Sequence, residues 1–234
     1  MSIKLLSLFH AFGESDSKIL GSVEIINSKL IGTGACIPYF VLTNAMLEKM
    51  VDTNDEWIVQ RTGVRERRIA KNTHTWELAL GAAQDALADA GIEASELDLI
   101  LVSTCTPDTN TPNTAAILQD KLGAGAIGAF DINNACTGFV SATDIADCYI
   151  KSGKARTVLV VSAETLSRIV DYTDRGTCIL FGDGAAAAVY RATEDDNLGI
   201  QSTFIAADGS GAEYLHMEAL PVEDPLSGDR TVDS

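Results

Sequence analysis

Basic side chains are scarce in this sequence. Seventeen lysines and arginines stand against 33 aspartates and glutamates, a formal net charge of -16. A surface of that sign repels phosphate backbones and anionic membrane faces, which argues against nucleic-acid or membrane-surface partners. Histidine is rarer still: His10, His74 and His216 share no metal-ligand spacing with one another or with the cysteines. The five cysteines, Cys36, Cys105, Cys136, Cys148 and Cys178, are odd in number and widely spaced, with no Cys-x-x-Cys pair. Neither a disulfide framework nor a zinc site is expected, and reduced thiols in a cytosolic compartment fit best. No apolar run approaches the length of a membrane span. The short apolar start, Met1 to Phe12, has one lysine and no small-residue cleavage site, and Glu14 and Asp16 follow it, so it supports a signal peptide only weakly. Aromatics make up 6% of the chain while alanine and glycine are abundant, a mix that suits closely packed α/β layers.

Against that background Cys136 stands out, in the run Asp131-Ile-Asn-Asn-Ala-Cys-Thr-Gly-Phe139. A strand-like stretch, 126–132, enters the run and a helix-like stretch leaves it. The free N–H groups and positive dipole end of a helix stabilise a thiolate, so a cysteine there is placed for nucleophilic chemistry through a thioester. The alternative is a small apolar residue at a crowded turn. A local basic patch also exists: Arg61, Arg65, Arg67, Arg68 and Lys71 fall within eleven residues. It is either an anion site or a solvated charge run.

Strand and helix signals alternate from about Lys29. The spacing predicts helices over 44–50 (N-cap Thr43), 56–60 (cap Asn54 or Asp55), 75–90 (stopped by Gly91), 114–122 and 137–152. It predicts strands over 29–34, 97–103, 126–132, 157–162, 179–181 and 186–190, the last two joined by Gly182-Asp-Gly184, with another over 199–206. Strands separated by helices imply crossover connections and a mainly parallel sheet. The helix after Cys136 is apolar enough to lie in the middle of the molecule.

Six segments keep the order and spacing of one family. They are Ile31-Gly-Thr-Gly34, Asp52-Thr-Asn-Asp-Glu-Trp-Ile58, Arg61-Thr-Gly-Val-Arg-Glu-Arg67, Ala135-Cys-Thr-Gly-Phe139, Asp174-Arg-Gly-Thr177 and Phe181-Gly-Asp-Gly-Ala185. Over about 30–215 the chain resembles the N-terminal two-thirds of β-ketoacyl-[acyl-carrier-protein] synthase III. The resemblance implies a thiolase-like layered α/β/α/β/α fold, with residues 1–28 an N-terminal extension, 29–195 a complete N-terminal half and 196–234 the truncated beginning of the C-terminal half. It implies that an acyl-CoA primer acylates Cys136, whose own N–H supplies one oxyanion donor, before decarboxylative Claisen condensation with malonyl-acyl-carrier protein. Trp57 and Arg175 match the pair that sandwiches the adenine of coenzyme A, and Thr53 and Arg61 match positions near the nucleotide and its phosphates. For Trp57 the alternative is an ordinary half-buried aromatic, and for Arg175 a turn arginine paired with Asp171 or Asp174. Gly182-Asp-Gly184 reads as a structural turn rather than a phosphate loop. A cytoplasmic homodimer with no permanently bound cofactor or metal is implied as well.

The family's active-site histidine and asparagine motifs have no match in this sequence, and His216 lies in a segment unlike the histidine motif. The chain alone is therefore expected not to complete the condensation, as a truncated product or as one piece of a split protein. Thr111 matches a loop position occupied by a large aromatic in some relatives, which suggests a primer longer than acetyl. The competing readings are a starter enzyme of secondary metabolism and a non-catalytic dimerisation or acyl-binding remnant of the fold.

Overall fold

A computed structural model describes residues 26–217. Of the expected extension over 1–28, residues 1–25, with His10, lie outside the described residues, as does the polar tail from residue 218, while Asn27 and Ser28 already belong to the first strand. The chain divides into two compact units, Met1–Thr203 and Phe204–Ser234. In the second, the described part holds one 3-10 turn, Gly209–Gly211, capped by the Asp208 side chain.

The first unit runs β1 (Asn27–Cys36), β2 (Phe40–Thr43), α1 (Asn44–Leu47), α2 (Asp55–Thr62), β3 (Glu66–Ile69), α3 (Thr75–Ala90), β4 (Leu99–Ser103), α4 (Thr114–Leu122), β5 (Gly128–Ile132), α5 (Gly138–Lys151), β6 (Thr157–Thr165) and β7 (Asp183–Thr193). The cap signals work as read. Thr43 accepts from the Met46 N–H, Asn54 from the Trp57 N–H, and Gly91 ends α3 at φ +65°. Five strands form one sheet in the order β1-β7-β6-β4-β5, and β2 and β3 form a separate hairpin.

The sheet is mixed rather than mainly parallel. β4 is parallel to β5 and to β6, whereas β7 is antiparallel to both β6 and β1. The reason lies in the connections. Helices α4 and α5 carry the chain back over the sheet and restore strand direction. Between β6 and β7 there are only short turns, so β7 returns the opposite way. Two further strand expectations fail. Residues 179–181 lie in a turn, and β7 is one continuous strand that begins at Asp183. Residues 199–206 form no strand.

Side-chain alternation divides the core between the two faces of the sheet. Ile100, Val102, Leu159 and Val161 pack with Leu78, Ala82, Ala86 and Leu118 of α3 and α4. Leu99, Leu101, Val158 and Val160 pack with Ala142, Ala146 and Ile150 of α5. On the α3 side the approach is close: a Cβ on Gly34 of β1 would lie 2.3 Å from the Ala82 carbonyl and from the Ala86 nitrogen. The α5 helix does not lie in the middle of the described molecule. It buries one face on the sheet, while Val140 and Cys148 on the other are exposed. A third, smaller cluster of Leu42, Leu47, Ile58, Cys178 and Ile179 supports Trp57 from below.

Candidate active site

The β5 strand delivers the chain to Cys136. The Thr104 N–H, just past β4, donates to the Ile132 carbonyl at 3.1 Å and closes the last rung between the two strands. A 3-10 turn, Ala135–Thr137, then leads into α5. Cys136 thus sits in the turn before the helix rather than on it, and its side chain is exposed. The turn is held by Thr137, whose N–H and hydroxyl both reach the Asn134 carbonyl at 3.2 and 3.0 Å, and by the Asn134 amide, which donates to Ser141 Oγ at 2.7 Å. Ala135 is forced to φ +42°, a left-handed conformation that costs a non-glycine residue about 1 kcal/mol. The crowded position is Gly138, where a Cβ would meet Ser103 Oγ at 1.9 Å. That buried Ser103 hydroxyl has no hydrogen-bond partner among the described residues.

A second group of side chains, not picked out from the sequence, lies beside this turn. Glu164 of β6 accepts from the Cys105 N–H at 2.9 Å, from Thr106 Oγ1 at 2.5 Å, and from Thr104 Oγ1 and Cys105 Sγ at 3.4 Å. Burial first, then the Glu164 charge and hydrogen bond, push the Cys105 thiol up to about 11, and the neighbouring Cys136 adds in the same direction. The only sequence signal for this cluster is the run Thr104-Cys-Thr106 at the end of a buried strand.

Three of the four residues expected near the nucleotide, Trp57, Arg61 and Arg175, come together. On α2, Arg61 is one turn beyond Trp57, and its guanidinium carbon lies 4.2 Å from the indole centroid. Arg175 reaches the same ring from the loop before β7, also at 4.2 Å. Its partner is Asp52, at 3.8 Å, and not Asp171 or Asp174. Those two carboxylates instead close their own turns: Asp171 accepts from the Thr173 N–H and hydroxyl, and Asp174 from the Gly176 N–H and Thr177 hydroxyl. Thr53 precedes the α2 cap, and its hydroxyl is buried with no partner among the described residues, as is Arg175 Nε. Among the described residues no hydrogen bond, ion pair or ring contact links this cluster to Cys136.

The basic run does not act as one patch. Arg67 is buried and donates Nε and NH2 to the Ile179 carbonyl and NH1 to Asn44 Oδ1. Lys71 lies over the Phe40 ring at 3.6 Å. Only Arg61 joins the Trp57 cluster. Asp183 is structural, accepting from the Ala70 and Ser167 N–H groups and the Ser167 hydroxyl. Among the described residues no three metal-ligating side chains gather, and no helix is long and apolar enough to cross a membrane. His216 is exposed.

The chain has similar counterparts among known proteins. A family model described as 3-oxoacyl-[acyl-carrier-protein (ACP)] synthase III matches residues 130–209, the segment that carries Cys136 and β7. A β-ketoacyl-[acyl-carrier-protein] synthase III of Xanthomonas campestris is 55% identical over 191 residues, which is 81% of this chain and 58% of that protein. The chain belongs to the β-ketoacyl-[acyl-carrier-protein] synthase III family. The synthase III of Clostridium novyi is 47% identical over 205 residues, 88% of this chain and 63% of that protein. The crystal structure of the Aquifex aeolicus synthase III superposes with a TM-score of 0.71 at 54% identity, covering 72% of this chain and 55% of that one. The α/β fold is accordingly thiolase-like. The chain spans 58–63% of the length of these two curated synthase III relatives.

Proposed function

We propose that this protein acts in the initiating condensation of fatty acid synthesis, with Cys136 as the nucleophile that an acyl-CoA primer acylates. The observation that carries this reading is the exposed Cys136 in the turn between β5 and α5, within a chain of the synthase III family. In the first step the Cys136 sulfur bonds to the primer's carbonyl carbon, and the coenzyme A thiolate leaves from the same carbon. The tetrahedral oxyanion between these events needs donors, and the Cys136 N–H is one of them. In the second step the malonyl group of an acyl-carrier protein loses carbon dioxide. Its carbanion takes the acyl group from sulfur, giving a 3-oxoacyl-carrier protein.

Coenzyme A is the substrate's carrier in this reading, and no cofactor or metal is permanently bound. Trp57 and Arg175 take the adenine, while Arg61 and Thr53 lie near the nucleotide and its phosphates. A base between indole and guanidinium needs two stacking separations, about 7 Å in all, and the pair stands at 4.2 Å. Arg175 must therefore swing outward by about 3 Å to admit the base, giving up its 3.8 Å contact with Asp52. A cytoplasmic homodimer that uses no nucleic acid or membrane completes the proposal. The exposed threonine at 111 suits a primer longer than acetyl.

Intact-mass measurement after incubation with a series of acyl-CoA thioesters tests the first step. The expected result is one acyl group per chain, mapped to Cys136 and absent from Cys136→Ser. On adding malonyl-carrier protein the chain alone is expected to keep that group, because the family's histidine and asparagine motifs have no match in it; prompt discharge would overturn that expectation. A folded protein that stays unacylated, or acylates elsewhere, overturns the reading.

A further inference from the structure

Cys105 approaches Cys136 by two routes that the structure fixes independently. The first is along the backbone. Ser103 and Ile132, the last residues of β4 and β5, are paired in register. A Cβ on Gly138 would lie 1.9 Å from Ser103 Oγ, so the turn after β5 folds back onto the end of β4. Cys105 is two residues after Ser103, and Cys136 two residues before Gly138. The second route is through side chains. Val158 and Val160 of β6 pack with α5, and alternation along the strand brings Ser162 and Glu164 to that same face. The Cys105 thiol bonds Glu164 at 3.4 Å, so its sulfur lies on the α5 side of the sheet, where Cys136 enters the helix. The two thiols differ in access: Cys136 is exposed and Cys105 is half-buried.

We propose that Cys105 is the resolving thiol for Cys136, and that a hydroperoxide-class oxidant closes the pair into an intrachain disulfide that spares the exposed sulfur from irreversible oxidation. In the first step the Cys136 sulfur attacks the peroxide. An S–O bond forms, the O–O bond breaks, water or an alcohol leaves, and Cys136 becomes a sulfenic acid. In the second step the Cys105 sulfur attacks the Cys136 sulfur. The S–S bond forms and the S–O bond breaks. The Cys105 proton passes to Glu164 and on to the departing hydroxide, which leaves as water. Two thiols and one hydroperoxide thus become one disulfide, one water from the second step, and the water or alcohol from the first. An external dithiol reverses the change by exchange. Glu164 holds the Cys105 thiol proton, so oxidation starts at Cys136, and the same carboxylate is in place to accept that proton at closure. None of this depends on the acyl chemistry proposed above.

The test treats the Cys148→Ser protein, which removes the other exposed thiol, with hydrogen peroxide and maps the products by mass spectrometry. The expected result is a joined pair of proteolytic fragments carrying Cys105 and Cys136 within one chain, released by dithiothreitol. In a Cys105→Ser protein Cys136 is expected to go on to sulfinic acid several-fold faster, and in Glu164→Gln, where the Cys105 proton is no longer held, oxidation is expected to begin at Cys105 as well as at Cys136. Sulfinic acid at Cys136 forming equally fast with and without Cys105, or joined fragments found only between chains, would overturn the pairing. Oxidation that still begins at Cys136 alone in Glu164→Gln would overturn the role given to Glu164.

Discussion

Arg67 closes two guanidinium nitrogens on the carbonyl oxygen of Ile179, at 3.0 and 2.6 Å, across 112 positions of sequence. The third nitrogen reaches Asn44 at 2.6 Å. One buried side chain therefore joins the β2–β3 hairpin, the start of α1 and the loop that carries Arg175. Arg67→Lys keeps the charge and loses the fork, because an ammonium on a flexible stem cannot reproduce the paired geometry. A loss of about 2 kcal/mol in urea unfolding is expected, with a change in Trp57 fluorescence as Arg175 loosens. Stability equal to the parent would show that the fork does not hold this layer together.

Gly138 is required by contact rather than by backbone angle. Its φ is an ordinary helical -59°, but a methyl group there would overlap Ser103 Oγ. Gly138→Ala should cost roughly 2 kcal/mol through overpacking. Adding Ser103→Gly should restore most of that loss, since it removes both of the atoms in the way. Denaturant unfolding of the two single variants and the double variant measures the coupling.

The Cys105 thiol should be slow to alkylate at neutral pH, with its reactivity rising through about pH 11. Glu164→Gln should bring that midpoint down, because a neutral amide no longer repels the thiolate. The sign for stability follows. The folded value lies above the ordinary 9.0, so the folded chain holds this proton more tightly. The contribution is present below pH 9 and is lost as pH rises through about 11. Stability curves of the parent and Cys105→Ser should converge on the alkaline side.

Asp108 clamps the loop between β4 and α4 to the start of α3. Burial alone would raise its pKa. The Trp76 N–H, Arg168, the Thr75 N–H and His74 outweigh burial and hold the carboxyl below its ordinary 3.8. The contacts measure 3.0, 2.8, 3.1 and 3.0 Å in that order. With the folded value depressed, this stability is present above the unfolded pKa and lost as pH falls below it. Asp108→Asn should cost about 1 kcal/mol near neutrality. The difference from the parent should vanish in strong acid, as checked by unfolding at a series of pH values.

Helices α3 and α4 have the bounds expected from the chain, Thr75–Ala90 and Thr114–Leu122. Their signals are short-range: an apolar face at helical spacing, a polar cap, and a glycine one step past the end. The Trp57–Arg61 pair is equally local, one helical turn apart. Arg175 is 118 positions from Trp57, and its place over that ring was expected from family resemblance alone. Residues 179–181 are apolar enough to read as a strand. They form a turn instead, with the Ile179 carbonyl spent on Arg67, a residue that by charge belonged to a surface patch.

Caps, periodicity and the junction around Cys136 depend on neighbours a few residues apart, and the order of residue types is sufficient to specify them. The pairing of β7 with β1, the burial of Arg67, the Trp57–Arg175 contact and the meeting of Glu164 with Cys105 join segments 50 or more positions apart. Sheet register and side-chain packing select those partners, because each buried polar group must find its match in the folded chain.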